Sequence, residues 1–591
     1  MSFFEEFRHA FFYNPAKALI ALYWYVLRRR VRGRNQLRQI SSQAPYVYSV
    51  WIRTVERLDE VVRQTPAEVA RWKSRPTFTI LMQVDEAQDA GALQAIVRSV
   101  ERQSYQEWEL LLVHDSAIAP VATQGSGRVR WVPCEGASDV VALRAGIMAA
   151  EGDYILPLGE NAILSPAALF RFAQALQEQP DANIVYGDHD EQNERGERAM
   201  PWLKSAWNRE LLLAQDYVSP SFVIRRDDAR RFGGLPDAVE GAAAFSMVLE
   251  ASAPAASHVV HVPHIVCHYP EGTGARAGAG LSARVEAVGR HIKPLGGSAK
   301  AGNFGLVEVS WSLPADPPLV SIIIPTRDQV ELLRTCIESV LGLTSYPRIE
   351  IIIVDNGSVE PAARQYLAEL VEDSRIRILT HDAPFNFSEL NNLAAAEATG
   401  DFLCLLNNDT EVISGEWLDE LMRYAVQDHV GAVGAKLLYP DGSIQHAGVV
   451  IGIGNAAGHA HRLLANEDAG YYARAHATHQ VSAVTAACLV IAKRKFQAVG
   501  GLDAKNLKVA FNDVDFCLRI QAAGWTNIYC PRAVLVHHES KSRGSDSLKR
   551  NIKRYQEELA YLQKRWGTET CVDPAHHPNL DRASETYVLR L

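Results

Sequence analysis

The chain has 591 residues, of which 47% are hydrophobic and 22% charged. That length holds three or four domains, and that balance suits apolar cores, so wholesale disorder, collagen and coiled coil are excluded. A net charge of −9 argues against a general nucleic-acid-binding surface.

The charge is uneven. Residues 1–40 hold eight Lys/Arg against two Glu. The apolar run Ala18–Leu27 is only ten residues long, against the roughly 20 that a spanning helix needs. Arg28, Arg29, Arg30, Arg32, Arg34 and Arg38 follow it, the reverse of the charge order in a secretory signal. Phe3, Phe4, Phe7, Phe11, Phe12, Tyr13, Tyr23, Trp24 and Tyr25 crowd the same stretch. Residues 1–45 therefore read as an amphipathic segment lying in the headgroup layer of an anionic membrane. The alternative is a helix packed on the body of the protein, its arginines merely solvated. Residues 46–75 carry Trp51, Val55, Leu58, Val61 and Val62 at helical spacing and read as a helical linker. Eight scattered cysteines without a CxxC pair fit a reducing cytoplasm, with the protein attached peripherally to the inner face of the cytoplasmic membrane.

Further along, one pattern occurs twice. FTILMQVDE (78–86) matches VSIIIPTRD (320–328), and WELLLVHDS (108–116) matches IEIIIVDNG (349–357). GDYILPLGEN (152–161) matches GDFLCLLNND (400–409), and RRFGGLPDA (230–238) matches FQAVGGLDA (496–504). Four blocks in one order indicate a duplicated domain. Each copy alternates short apolar strands with helices, clearest at 332–341 and 387–398, which predicts a mostly parallel α/β sheet. The copies should span 76–270 and 318–545. A linker at 271–317 begins Gly/Ala-rich, with a helix in its later part. Residues 546–591 read as a C-terminal helix and tail. Ligands bind beyond the carboxyl ends of such strands, which directs attention to Asp355 and to Asn407-Asn408-Asp409.

The second copy resembles a known family. PLVSIIIPTRD (318–328), EIIIVDNGS (350–358), FNFSELNN (385–392), FLCLLNNDTEV (402–412), AFNDVDFCLR (510–519) and VLVHHESKSRG (534–544) resemble the blocks of inverting family 2 glycosyltransferases. More narrowly, they resemble the tandem-domain, rhamnosyltransferase-like enzymes of bacterial O-antigen and capsule assembly. The likeness is strong over 318–545 and weak over 76–270. The tail RWGTETCVDPAHHPNL (565–580) is similar too, except that His576-His577 stands where Tyr-Asn is usual. The resemblance implies two GT-A domains (Rossmann-like, of the nucleotide-diphospho-sugar transferase kind) in tandem, and a nucleotide-sugar donor.

Glycosyl transfer from a nucleoside diphosphate sugar requires that the nucleotide be held, the departing diphosphate neutralised and the acceptor hydroxyl deprotonated. Asp355 can accept a hydrogen bond from the imide N–H of uracil or thymine, although Asp-Asn-Gly is also a turn sequence. Pro325, Thr326 and Arg327 end the first strand and should line the same pocket. Asn407-Asn408-Asp409 occupies the place of the family's DxD motif. Hard cations such as Mg²⁺ or Mn²⁺ prefer oxygen ligands, so Asp409 is the expected metal ligand, Asn407 is secondary, and an Asx turn is the bland alternative. By resemblance Asp513 stands at the general base, with Asp515 as its rival or a substrate contact. His537 or His538 can complete the metal shell. The basic stretch after them, with Arg543, suits a lid closing on diphosphate. His446, with His459 and His461, reads as lining the acceptor side.

Carrying these positions into the first copy gives His114 for Asp355, and Asn161 for Asp409 with Glu160 beside it. Ala244 and Ser246 fall on the acidic pair. That copy should be a non-catalytic scaffold or acceptor-glycan binder. The expected activity is inverting transfer of a rhamnose-like hexose from a dTDP- or UDP-linked donor to a growing surface polysaccharide or lipid-linked glycan. A sugar nucleotidyltransferase would want a glycine-rich first loop, which PTRDQVE lacks. A purely glycan-binding scaffold would not need Asp409, Asp513 and the histidine pair together.

Overall fold

The computed structural model describes residues 3–26, 33–34, 36–38, 40, 45–85, 89–117, 127–136, 138–232, 238–254, 256–274, 278–538, 549–583 and 585–590. The chain divides into two compact units. The N-terminal unit comprises Met1–Val309 with His576–Asp581 and Val588–Leu591, and the C-terminal unit comprises Ser310–Ala575 with Arg582–Tyr587.

In the C-terminal unit the sheet runs, edge to edge, through Ile376–Thr380, Ile349–Asp355, Val320–Thr326, Phe402–Leu406, Cys488–Ala492, Val430–Leu438, Thr526–His537 and Thr410–Val412. The first four strands are parallel, Cys488–Ala492 is antiparallel, and Val430–Leu438 lies parallel to Thr526–His537. These runs are rich in Val, Ile and Leu because both faces of the sheet are covered. One covering helix, Val330–Leu343, buries Leu333, Cys336, Ile337 and Val340, the i, i+3, i+4, i+7 stripe of a packed helix. Another, Phe387–Glu397, starts where the Asn386 side chain accepts the Glu389 N–H, satisfying an otherwise unpaired donor.

The N-terminal unit repeats that strand order: Val129–Cys134, Trp108–Asp115, Phe78–Val84, Tyr154–Pro157, Phe222–Arg225, Ile184–Gln192, Val259–Pro270 and Ile163–Leu164. A shared latch strengthens the duplication. In the first copy Thr79 Oγ1 donates to Glu109 (2.6 Å) and accepts the Gly152 N–H (2.8 Å). In the second, Ser321 Oγ donates to Glu350 (2.5 Å) and accepts the Gly400 N–H (2.9 Å). A Cβ at either glycine would lie 2.6 Å from this neighbour strand, which explains the Gly-Asp that opens both third blocks.

Two expected linkers are instead built into the N-terminal unit. Residues 46–75 form Pro45–Trp51, a π-turn Ile52–Glu56 and Leu58–Val69, broken where Arg57 takes a φ of 47°. Trp51 is buried, Trp72 stacks on Phe170, and the Tyr48 hydroxyl donates to Asp190 (2.6 Å). Arg198 then joins this segment to the sheet through a bidentate pair with Glu56 (2.6 and 2.9 Å) and a contact to Asp190 (2.6 Å). Within 271–317, the helix Leu281–Ile292 buries Ala287, Val288 and Ile292, and Gly297–Ala301 pairs with Val307–Trp311. The division between units falls after Val309, because this segment carries its own apolar face.

The head is a helical hairpin, Phe3–Tyr13 and Pro15–Val26. Its buried side is Ala10, Ala18 and Ala21 with Leu37 and Ile40. Phe4 (67% exposed), Phe12 (84%), Leu19, Ile20, Tyr23 and Val26 face outward. Of the arginine cluster, Arg38 pairs with Glu6 and Asp581, so it is not merely solvated. Arg28, Arg29, Arg30 and Arg32 lie outside the described residues. No described helix is long and apolar enough to cross a membrane. All eight cysteines are free, seven of them buried.

Candidate functional site

The parallel register brings Thr326 beside Asp355 at the carboxyl ends of their strands. Pro325 and Thr326 are buried and Arg327 is exposed. Asp355 Oδ1 accepts both the Ser358 N–H (3.0 Å) and its hydroxyl (2.6 Å). The expected turn is therefore real, and it engages one carboxylate oxygen among the described residues. Gly357 closes that turn at a φ of +70°, a conformation that favours glycine. Asn356 donates to the carbonyls of His381 and Ala383, both at 2.8 Å, pinning the next loop to this one.

Asn407, Asn408 and Asp409 follow the strand Phe402–Leu406. Asn408 is buried and donates to Thr326 Oγ1 (3.0 Å), so it braces the loop. Asp409 is buried, with Oδ1 3.0 Å from His537 Nε2. Asn407 reaches the same nitrogen at 3.2 Å, and its Oδ1 is buried without a partner. His537 Nδ1 is 2.7 Å from Gln445 Oε1. A carboxylate oxygen and an imidazole nitrogen thus meet, with the Asn407 amide nitrogen against that ring and its oxygen buried without a partner; carboxylate, imidazole and amide oxygen are donor types that fit a hard divalent cation. His538 is not part of it. Its side chain pairs with Glu411 at 3.2 Å, because successive residues at the end of the strand point opposite ways.

Asp513 opens the helix Asn512–Ala522. Its carboxylate accepts the N–H groups of Ala486 (3.2 Å) and Val514 (2.8 Å), with the Thr485 side chain as a further partner. Burial nevertheless raises its pKa, outweighing these hydrogen bonds. Asn407 is anchored on the same segment, its N–H donating to Ala487 O (3.1 Å). The segment Thr485–Ala487 therefore carries the proposed base and the cation loop side by side.

Three expectations need correction. Asp515 is sealed at 0% exposure and saturated by Arg519 (2.8 Å), Trp566 Nε1 (2.9 Å) and Arg565 (3.1 Å). Two residues along a helix from Asp513, it faces the other way and serves packing, not substrate. His446 is also 0% exposed and pairs with His459, Nδ1 to Nδ1 at 3.1 Å. Burial drives its pKa well down, so it lies behind the site, out of a substrate's reach. His538 is excluded from the cation group as described. Arg543 and the rest of 539–548 lie outside the described residues.

Among the described residues, the first copy presents no equivalent of these acids. His114 hydrogen-bonds Asp115 O (2.9 Å) and packs edge-on to Trp131. Asn161 and Glu160 are exposed, and partial burial with Asp85 beside it raises the Glu160 carboxyl. Ala244 carries no acid, and Ser246 Oγ accepts the Val239 N–H (3.4 Å).

Sequence reasoning missed a buried cluster there. Asp188, His261 and His577 have ligand atoms within 4.8 Å of one another. Asp188 accepts from both Nε2 atoms at 2.8 Å and from the Lys204 N–H at 2.8 Å. Burial pushes this carboxyl up, but the imidazoles of His577 and His261 outweigh it and hold it below the ordinary range. The Asn579 N–H donates to His577 Nδ1 (3.0 Å), so the ring proton sits on Nε2. His577 is thus wired as a donor to Asp188, not as a metal ligand. The acid run Asp188-His189-Asp190-Glu191 inside an otherwise apolar strand was the available signal.

Comparison with known proteins agrees with this architecture. The family model for Glycosyl transferase family 2 matches residues 86–233 and 321–484, one match in each unit and together more than half of the chain. The chain belongs to glycosyl transferase family 2, and the expected class, two α/β domains of the GT-A type in tandem, holds. It is 37% identical over 585 residues to an uncharacterised protein, y4gI, of Sinorhizobium fredii, covering 94% of this chain and 63% of that one. It is 36% identical over 507 residues to the O-antigen biosynthesis protein RfbC of Myxococcus xanthus, covering 83% of this chain and 40% of that one. It is 24% identical over 226 residues to the N-acetylglucosaminyl-diphospho-decaprenol L-rhamnosyltransferase of Mycobacterium tuberculosis, covering 35% of this chain and 72% of that one. The chain thus spans under two thirds of the length of the first two.

Proposed function

We propose that the C-terminal unit transfers a sugar, with inversion, from a nucleoside diphosphate donor to a growing surface polysaccharide or lipid-linked glycan. The observation that carries this reading is the pairing of Asp409, Asn407 and His537 with Asp513 on the one segment Thr485–Ala487, at the carboxyl end of the sheet. Asp355 and Thr326 hold the nucleotide, with Arg327 at the rim. Asp409, His537 and the Asn407 amide oxygen would hold a divalent cation, Mg²⁺ or Mn²⁺, which when bound neutralises diphosphate charge. Asp513 takes the proton from the acceptor hydroxyl as that oxygen attacks the anomeric carbon and the bond to diphosphate breaks. Its raised pKa suits a base that works near neutral pH.

A rhamnose-like donor sugar is favoured by the rhamnosyltransferase relative named above, and a dTDP or UDP carrier by the resemblance of the sequence blocks. The N-terminal unit, lacking both acids, acts as a scaffold or holds acceptor glycan. The hairpin supports attachment to an anionic membrane surface. The hairpin buries Ala10, Ala18 and Ala21 with Leu37 and Ile40, packs Phe7, Leu22 and Tyr25 partly against them, and still presents Phe4, Phe12, Leu19, Ile20 and Tyr23 outward, an apolar surface that suits lipid contact. The test of the activity is a panel of nucleotide sugars incubated with Mn²⁺ and lipid-linked acceptor, read as nucleoside diphosphate release. Transfer from at least one donor, lost in Asp513→Asn, supports the proposal. Equal release by both proteins refutes Asp513 as the base.

A further inference from the structure

The two units each contain a buried His–Asp contact at hydrogen-bond distance, and the two are wired in opposite senses. In the N-terminal unit a backbone N–H occupies His577 Nδ1, so Nε2 carries the proton toward Asp188. In the C-terminal unit His537 Nδ1 meets an amide oxygen instead, Gln445 Oε1 at 2.7 Å. A carbonyl oxygen only accepts, so Nδ1 must carry the proton. Turning the Gln445 amide over would set its oxygen against the His537 carbonyl oxygen, which its nitrogen now faces at 3.5 Å, and would place two acceptors together. Gln445 is buried on the short strand Ile444–His446, which pairs with Val430–Leu438, so it is held in place by the sheet.

With Nδ1 protonated, the neutral ring has its one lone pair on Nε2. That lone pair faces Asp409 Oδ1 at 3.0 Å and the Asn407 amide nitrogen at 3.2 Å. The amide N–H can serve Nε2, but the carboxylate oxygen is a second acceptor against the ring nitrogen, and two acceptors at that distance call for a proton or a cation between them. The oxygen of the same Asn407 amide is buried without a partner.

We infer that Gln445 is a positioning residue: it fixes the Nδ1–H tautomer of His537, so that Nε2 is presented with Asp409 and Asn407 as a ready-made cation site. This deepens the proposal above and rests on its reading of Asp409 and His537 as ligands. Nothing in the chemistry of glutamine draws attention to Gln445 in the sequence, where its histidine neighbour His446 is the more conspicuous residue. Outer partners of this kind are worth about 10–100-fold in metal affinity.

The experiment is Mn²⁺ binding to the full chain, without donor or acceptor, followed by loss of the free-ion electron paramagnetic resonance signal. Gln445→Leu keeps the volume but removes the acceptor, and should weaken Mn²⁺ binding about 10–100-fold. Gln445→Glu restores an acceptor at Nδ1, its second oxygen protonated toward the His537 carbonyl where the amide N–H stood, and should bind within about threefold of the unaltered chain. His537→Ala and Asp409→Asn are run alongside, with metal-free melting curves to confirm that each variant is folded. Weak binding by Gln445→Leu with rescue by Gln445→Glu supports the inference. Unchanged binding in Gln445→Leu while His537→Ala loses it overturns the inference and leaves the site reading intact. Equal loss in the leucine and glutamate variants also overturns it, assigning Gln445 to packing. Unchanged binding in His537→Ala overturns the reading of the site and the inference with it.

Discussion

Asp513→Asn separates a catalytic from a structural role most sharply. Asparagine keeps nearly the same volume and a carbonyl oxygen for one of the Ala486 and Val514 N–H groups, which bond to different carboxylate oxygens, so the other N–H loses its acceptor. What also disappears is the ability to take a proton. Removing a positioned base costs about 10²–10⁴-fold, which is about 2.7–5.4 kcal/mol of transition-state stabilisation at about 1.36 kcal/mol per decade. The pH dependence follows from the raised pKa. The folded chain holds this proton more tightly than the unfolded chain, so the ionised carboxylate destabilises the fold at pH above its raised pKa. The stability of Asp513→Asn relative to the unaltered chain should therefore rise as pH climbs through that pKa, on top of a constant cost for the N–H left without an acceptor. Wild-type kcat should fall over the same interval as the base protonates. The assays are nucleoside diphosphate release across pH and thermal unfolding of the same samples. Turnover within threefold of wild type, or a Tm difference that stays constant across pH, would refute this role for Asp513.

The other predictions address neighbouring features. Asp515→Asn should cost about 3–5 kcal/mol of stability, because Arg519 and Arg565 lose a buried partner, while turnover per folded molecule stays within threefold; urea unfolding followed by activity at matched folded fraction checks both. Arg198→Ala should destabilise the N-terminal unit by about 3–5 kcal/mol by stranding Glu56 and Asp190, seen in denaturant titration of the full chain as an earlier transition. Replacing Phe4, Phe12, Leu19 and Tyr23 together by serine should weaken sedimentation with anionic vesicles at least about a hundredfold, since each buried apolar side chain is worth roughly 1.5–3 kcal/mol. Unchanged sedimentation would reject the hairpin as the membrane contact.

Much of the fold was legible because the strands are continuous apolar runs bounded by polar residues, and because they recur in order. Identical strand orders in the two units are the three-dimensional form of those four matched blocks. The segment 46–75 shows why periodicity alone falls short: its helical stripe was readable, but not that Trp51 and Tyr48 are swallowed by the N-terminal unit. Asp409 drew attention as an acid beyond the carboxyl end of a strand and at the place of the family's DxD motif, and Asp513 did so only through the resemblance of AFNDVDFCLR to the family's block. Asp515 was separable from Asp513 in principle, since residues two apart on a helix do not share a face. Gln445 was not legible. Its role depends on which of two neighbouring side chains faces His537, and that is set by a register irregularity between Leu437 and Leu438 that no local pattern announces. The Asp188 cluster was hidden for a similar reason, its third member lying 389 residues away in the chain.

Only the C-terminal copy should hold donor. Calorimetric titration of UDP and dTDP, with Mn²⁺ present, into the full chain tests this most directly when repeated on Asp409→Ala and on the matching Asn161→Ala. One nucleotide site is expected, lost in Asp409→Ala and unchanged in Asn161→Ala. Binding that survives Asp409→Ala but is lost in Asn161→Ala would contradict it.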